Sequence, residues 1–208
     1  MAGDLTGESH VQVATSEANY SMQPSDELRQ VEERLAILLA MGGDRQAFRQ
    51  LVDWYDRRLL YFVGRILGDS DGALDVLQAV WLIVHRKLST LAAPEAFRVW
   101  VYQIAHNQAV SELRRKTNRP LLLDEVATAV IEDASDDESV GLENAELVHV
   151  ALQELSVDHR RVLTLRFLED MSMKEIADVV GCNVGTIKSR LHYARLALRQ
   201  RIEVLLHD

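Results

Sequence analysis

The sequence predicts an all-α protein of two small helical domains joined by an acidic flexible linker. Three observations carry that reading. Apolar residues recur at steps of three and four through most of the chain, which lines one face of a helix. Several of these stretches open on Ser, Asp or Asn and close on Gly, the residue types that cap helix ends. Residues 120–150 hold nine acids and no base, a local charge that equals the net charge of -9 for the whole chain. The part of that run from 120 to 141 lacks apolar periodicity and reads as an extended tether.

Residues 1–24 are polar and aperiodic, a disordered leader ending at Pro24. The first domain spans 25–119. Ser25 is placed to cap a helix with Leu28, Val31, Leu35 and Leu38 on one face, stopped by Gly42 and Gly43. Asp44 caps a longer helix through Leu67, with Phe48, Leu51, Val52, Tyr55, Leu59, Phe62, Val63 and Ile66 at helical spacing and Gly68 at its end.

The next helix, about Asp71 to Leu88, carries a core stripe of Ala73, Leu74, Leu77, Val80, Trp81, Val84 and Leu88. Its opposite face holds Val76, Ala79, Leu82 and Ile83 among Asp75, Gln78 and Arg86. A helix that is apolar on both sides is either enclosed by its own domain or offers one side to a partner, and in so small a domain the partner face is the expectation. Pro94 suits the first turn of a helix from about Glu95 to Lys116. Phe97, Trp100, Val101, Ile104 and Gln108 form its core stripe, and Val99, Tyr102, Val110 and Leu113 lie on the far side. Gln103, Asn107 and Arg114 make a polar stripe between them, and Arg114, Arg115 and Lys116 end it. Exposed aromatics beside amides and guanidinium groups can stack on and bond to unpaired bases. The alternative is that Trp100 and Tyr102 are core and the arginines form a solvated last turn.

The second domain spans 142–208. A helix runs from near Leu142 through Leu147, Val150, Ala151 and Leu155, and Ser156 caps another containing Val162, Leu163, Leu165 and Phe167. Ser172 and Glu175 form a capping-box signature for a short helix that ends at Gly181. Asn183 caps a second one, whose Val184, Ile187, Leu191, Ala194 and Leu198 make a single buried stripe. From Val184 to Arg201 there are five bases and no acid. Two short helices, a tight turn and a basic second helix are what a helix-turn-helix needs to enter a DNA major groove, the alternative being an ordinary helical hairpin with a charged outer face.

Cys182 is the only cysteine, so an intrachain disulfide and a cysteine-rich zinc site are excluded. A small buried residue in the turn is its expected role, with redox sensing as the alternative. There is no glycine-rich phosphate loop, no His or carboxylate pair at metal-ligand spacing, and no nucleophile with its base. Neither cofactor, metal nor catalysis is expected. No apolar run approaches the roughly 20 residues of a membrane span, and the start lacks the pattern of a secretory signal, so the expected location is the cytoplasm.

Two segments, ALDVLQAVWLIVHRKL with FRVWVYQIAHNQAVSELRRKTNR, and LQELSVDHRRVLTLRFLEDMSMKEIADVVGCNVGTIKSRLHYARLALRQRI, resemble domains two and four of bacterial RNA polymerase sigma factors. Their order and the linker between them are similar to the compact extracytoplasmic-function (ECF) class. The resemblance implies that Asp75, Gln78, Ala79, Leu82 and Ile83 dock on the clamp helices of the largest subunit of core RNA polymerase, and that the second domain meets the flap of the second-largest subunit. It implies that Arg98, Asn107, Arg114 and Arg115 read the minus-ten element of promoter DNA and hold its melted strand. It also implies that Thr186, Lys188, Ser189, Arg190 and His192 serve the minus-thirty-five element. An anti-sigma factor is a further implied partner. Leu74 and Ala79 stand where members often have an acid, and Ser111 where they have Asp. Two other functions fit parts of the pattern: a stand-alone helix-turn-helix regulator, and a sigma mimic that titrates an anti-sigma protein.

Overall fold

A computed structural model describes residues 24–117 and 145–207. The expected leader, save Pro24, and the expected linker lie outside those residues. Eight α-helices are present among them, and no strand: α1 (Pro24–Met41), α2 (Arg45–Leu67), α3 (Ser70–Lys87), α4 (Phe97–Thr117), α5 (Ala145–Gln153), α6 (Val157–Leu163), α7 (Met173–Val180) and α8 (Val184–His207). Two 3-10 turns, Leu88–Thr90 and Pro94–Ala96, join α3 to α4, and a π-helical turn, Thr164–Leu168, follows α6.

Local chemistry sets most of the ends. Asp44 accepts from the amides of Gln46 and Ala47, both at 2.8 Å, and so starts α2. Gly68 ends it at φ 68°, a left-handed conformation that a side chain would strain. Asp69 caps α3, accepting from the Asp71 amide at 3.1 Å. Ser156 caps α6.

Helices α2, α3 and α4 pack side by side, with α1 laid across α2 and the two 3-10 turns. Leu51, Tyr55, Leu59, Phe62 and Ile66 of α2 fill the centre with Val80 and Val84 of α3 and Phe97 and Val101 of α4, all fully buried. Burying each such side chain contributes about 1.5–3 kcal/mol. The Trp81 indole NH donates to Asp56 at 2.8 Å and ties α3 to α2.

Three faces differ from expectation. On α3, Val76 is buried and Leu74 is exposed, so Val76 flanks the Ala73, Leu77, Val80 and Val84 stripe in place of Leu74. On α5, Val150 is exposed while Ala151 and Leu152 are buried. On α1, the residues turned to the core are Ala36, Ile37 and Ala40, and the expected stripe of Leu28, Val31, Leu35 and Leu38 points outward.

The two predicted domains do not stand apart. Helix α4 lies against α7, and α2 against α6. Tyr102, Ala105 and Ala109 of α4 are fully buried, and His106 nearly so. Tyr102 is therefore a core residue and unavailable for base stacking in this arrangement.

Candidate nucleic-acid interfaces and the seam between them

The helix-turn-helix is built as its caps require. The Glu175 amide donates to Ser172 Oγ at 3.2 Å and the Ser172 amide to Glu175 Oε2 at 2.8 Å, closing the capping box of α7. Gly181 turns the chain at φ 76°. Asn183 Oδ1 then accepts from the amide and the hydroxyl of Thr186, at 2.7 and 3.0 Å, opening α8.

The residues expected to meet the minus-thirty-five element fall into three groups. Lys188 is exposed, and Thr186, Ser189 and His192 are half-buried. Thr186 is engaged with Asn183, and Ser189 Oγ donates to the Thr186 carbonyl at 3.0 Å. Arg190 is the exception: only 4% exposed, it turns inward, 3.7 Å from Asp158 and 4.0 Å from Cys182 Sγ. The stripe Ile187, Leu191 and Ala194 faces the core on the same side, so this position of α8 belongs to the inner half of the helix here.

On α4, Asn107, Arg114 and Arg115 are exposed, and Arg115 lies in a two-bond pair with Glu112 at 2.8 Å. Arg98 is held instead by the second domain. Its Nη2 donates to Glu175 Oε1 at 2.8 Å and its Nη1 to the Glu169 carbonyl at 3.1 Å. Burial alone would raise the Glu175 carboxyl, but bonds from Arg98 and Ser172 outweigh it and hold that group below the usual range. Gln103 Nε2 adds a bond to the Asp178 carbonyl at 3.3 Å. One carboxylate thus caps the first helix of the helix-turn-helix and clamps the start of α4.

Three further contacts extend the seam. Arg58 of α2 donates to Glu169 Oε2 at 2.5 Å, the carboxylate being 4% and the arginine 38% exposed. Burial and then the Glu169 charge push the Tyr102 hydroxyl well above its ordinary range. Deeper in, the Arg161 guanidinium lies 3.0 Å from His106 Nε2. A guanidinium can only donate, so Nε2 accepts and the imidazole is neutral with its proton on Nδ1. Burial, then the Arg161 charge, lower the His106 pKa to about 4. Arg161 in turn pairs with Asp158 at 2.8 Å, and Arg190 shares that carboxylate. At the rim, the Tyr61 hydroxyl sits 3.1 Å from His149 Nδ1.

The seam residues Arg58, His106, Glu169 and Arg161 were not expected from the sequence, and Glu175 was expected only as a cap. Their partners lie from 55 to 111 residues away in the chain, beyond any local pattern. The one available signal was α4 itself, whose apolar residues on both flanks call for a second burial surface.

On the other side of the first domain, α3 presents Asp75, Gln78 and Leu82 as exposed, with Ala79 and Ile83 half-buried beside them. This is the outward face expected to take a partner. Among the described residues no helix is long and apolar enough to cross a membrane.

Comparison with known proteins finds two family matches. Residues 51–119 match the family described as Sigma-70 region 2, and residues 145–198 match Sigma-70, region 4. The RNA polymerase sigma-H factor of Pseudomonas aeruginosa is 31% identical over 191 residues, covering 87% of this chain and 99% of that protein. The ECF RNA polymerase sigma factor SigW of Bacillus subtilis is 28% identical over 173 residues, 78% of this chain and 92% of its own length. The fold is shared with the sigma factor RpoE of Bartonella quintana, solved with the anti-sigma factor NepR, at a TM-score of 0.58 and 24% identity over 76% of this chain and 97% of that one. Four helices, the last ending in Arg114, Arg115 and Lys116, followed by a helix-turn-helix and matched by these relatives over 78–87% of the chain, make it a member of the sigma-70 family of bacterial RNA polymerase sigma factors, in its extracytoplasmic-function class.

Proposed function

We propose that this sigma factor docks on core RNA polymerase through the α3 face of Asp75, Gln78, Ala79, Leu82 and Ile83, and reads two promoter elements with two different helices. Helix α4, through Arg98, Asn107, Arg114 and Arg115, takes the minus-ten element and its melted strand. Helix α8, led by Lys188 with Thr186, Ser189 and His192, takes the minus-thirty-five element, and Arg190 joins it only after release from Asp158. The second domain meets the polymerase flap, and the chain works in the cytoplasm without catalysing a reaction of its own. An anti-sigma protein is a further partner of the same proposal.

The observation that carries this reading is the unequal exposure of the working faces. The α3 face stands open, while Arg98 is bonded to Glu175 of α7. The minus-ten and minus-thirty-five positions are about 25 base pairs apart, roughly 85 Å of B-form DNA at 3.4 Å per pair. Helices joined by a 2.8 Å ion pair cannot occupy both sites at once. The closed arrangement is therefore a form that precedes promoter binding, and docking through α3 comes before the domains part. Residues 118–144 permit the separation, since a fully extended chain of that length reaches about 90 Å.

Run-off transcription with purified core polymerase on genomic fragments tests the proposal. New start sites preceded by two spaced elements support it. A protein that neither co-elutes with core nor yields new start sites overturns it.

A further inference from the structure

Helix α1 distributes its side chains in an unusual way. The face turned to α2 holds Ala36, Ile37 and Ala40, whereas Leu28, Val31, Leu35, Leu38 and Leu39 point outward and are between 47 and 64% exposed. A surface helix ordinarily buries its large apolar residues and exposes its small or polar ones. Five large apolar side chains gathered on a single arc mark a surface built to be covered.

Four of them, at 28, 31, 35 and 38, follow the 3-4-3 spacing of the inner positions of a coiled coil. With Leu28 and Leu35 at a and Val31 and Leu38 at d, Glu27 and Arg34 fall at g, and Glu32 and Leu39 at e. These flanks select both partner and direction. In a parallel pair of identical helices g meets e, which sets Glu27 against Glu32 and is repulsive. In an antiparallel pair g meets g, so Glu27 of each copy faces Arg34 of the other, and symmetry makes the contact twice. Arg34 also pairs with Glu95 of its own chain at 2.8 Å, both groups being exposed, and a guanidinium has donors for two carboxylates.

We propose that this face binds a second copy of the chain, α1 against α1 in antiparallel, as a two-fold dimer. The seam is short, about 16 Å at 1.5 Å per residue. It covers well under the roughly 800 Å² per partner of a stable complex, so its dissociation constant is on the order of 100 µM. The inference does not rest on the reading of the DNA-binding faces.

Sedimentation equilibrium of the full chain over roughly 10–1,000 µM tests it. Reducing buffer keeps Cys182 from linking copies. The weight-average mass should rise from the 23.5 kDa monomer towards twice that value. Leu35→Glu, at an exposed site, should leave the helical circular-dichroism signal intact and weaken the dimer at least about tenfold. Glu27→Arg and Arg34→Glu should each weaken it, and the double variant should restore it. The proposal is overturned by a mass that stays monomeric throughout, by a Leu35→Glu dimer as tight as the wild type, or by a double swap that fails to rescue. A monomeric wild type whose co-elution with core polymerase is lost in Leu35→Glu also overturns it, by assigning the face to polymerase.

Discussion

Replacing Glu169 with Gln should open the seam without disturbing either half of it. The side chain keeps its shape but loses the charge that holds Arg58, a bond of 2.5 Å between a carboxylate 4% exposed and a guanidinium 38% exposed. Charge-assisted bonds of this kind contribute about 1.5–3 kcal/mol. Arg58 can turn to water once released, which places the cost towards the lower end, about 2 kcal/mol. That shifts the closed-to-open ratio by roughly thirtyfold. While the closed form still dominates, apparent affinity scales with the open fraction. A single-stranded oligonucleotide carrying the minus-ten sequence should therefore bind the free variant up to about thirtyfold more tightly. Fluorescence transfer between dyes at Gln50→Cys and Gln200→Cys, in a Cys182→Ser background, should show growth of a longer-distance population. Arg58→Gln combined with Glu169→Gln should give less than the sum of the two single effects, as expected for a direct pair. Unchanged dye distances together with strictly additive single effects would refute the reasoning.

Other outcomes follow from the same geometry. Lys188→Ala should weaken duplex binding at the minus-thirty-five element by about 1–3 kcal/mol if it reads a base edge, and should lower the salt slope by about one if it meets a phosphate, which a salt titration of affinity distinguishes. Leu82→Glu, at a site 58% exposed, should abolish co-elution with core polymerase while leaving the thermal melt of the free protein unchanged within about 0.5 kcal/mol. The closed form should also lose stability in acid through His106. Its pKa falls from 6.5 to about 4 on burial among Arg161, Asp158 and Arg190, so the unfolded or opened chain binds the extra proton first. The contribution is complete above pH 6.5 and is lost as pH falls towards 4, and His106→Gln should flatten that limb of a stability-against-pH curve.

What the sequence reveals here is decided by range. Asp44, Ser156, the Ser172–Glu175 box and Asn183 act on amides within three residues, so the caps they form could be read directly. Which side of a helix faces inward is a different matter. On α3, Val76 and Leu74 lie about 80° to either side of the stripe formed by Ala73, Leu77, Val80 and Val84, so spacing does not distinguish them, and the packing of neighbouring helices buries Val76. On α1 two stripes compete, and hydrophobicity alone favours the leucines, whereas the close approach to α2 admits the alanines. The candidate site divides in the same way. Lys188, Asn107 and Arg114 are exposed as a reading by residue type suggests, but Arg98 and Arg190 are engaged by groups from the opposite domain or the opposite helix. Pairing across so many residues leaves no trace in periodicity or charge runs.

The seam also bears on how the protein finds its destination. Arg98, Arg161 and Arg190 are paired with carboxylates in the closed form, and two of the three are almost wholly out of water. With those cations stowed in a chain of net charge -9, its long-range field repels rather than draws in a phosphate backbone. Before it meets a polymerase such a molecule should therefore bind duplex DNA poorly, which a filter-binding titration of the free chain measures. On the proposed reading, the search for a promoter then falls to the complex with polymerase and not to the free chain.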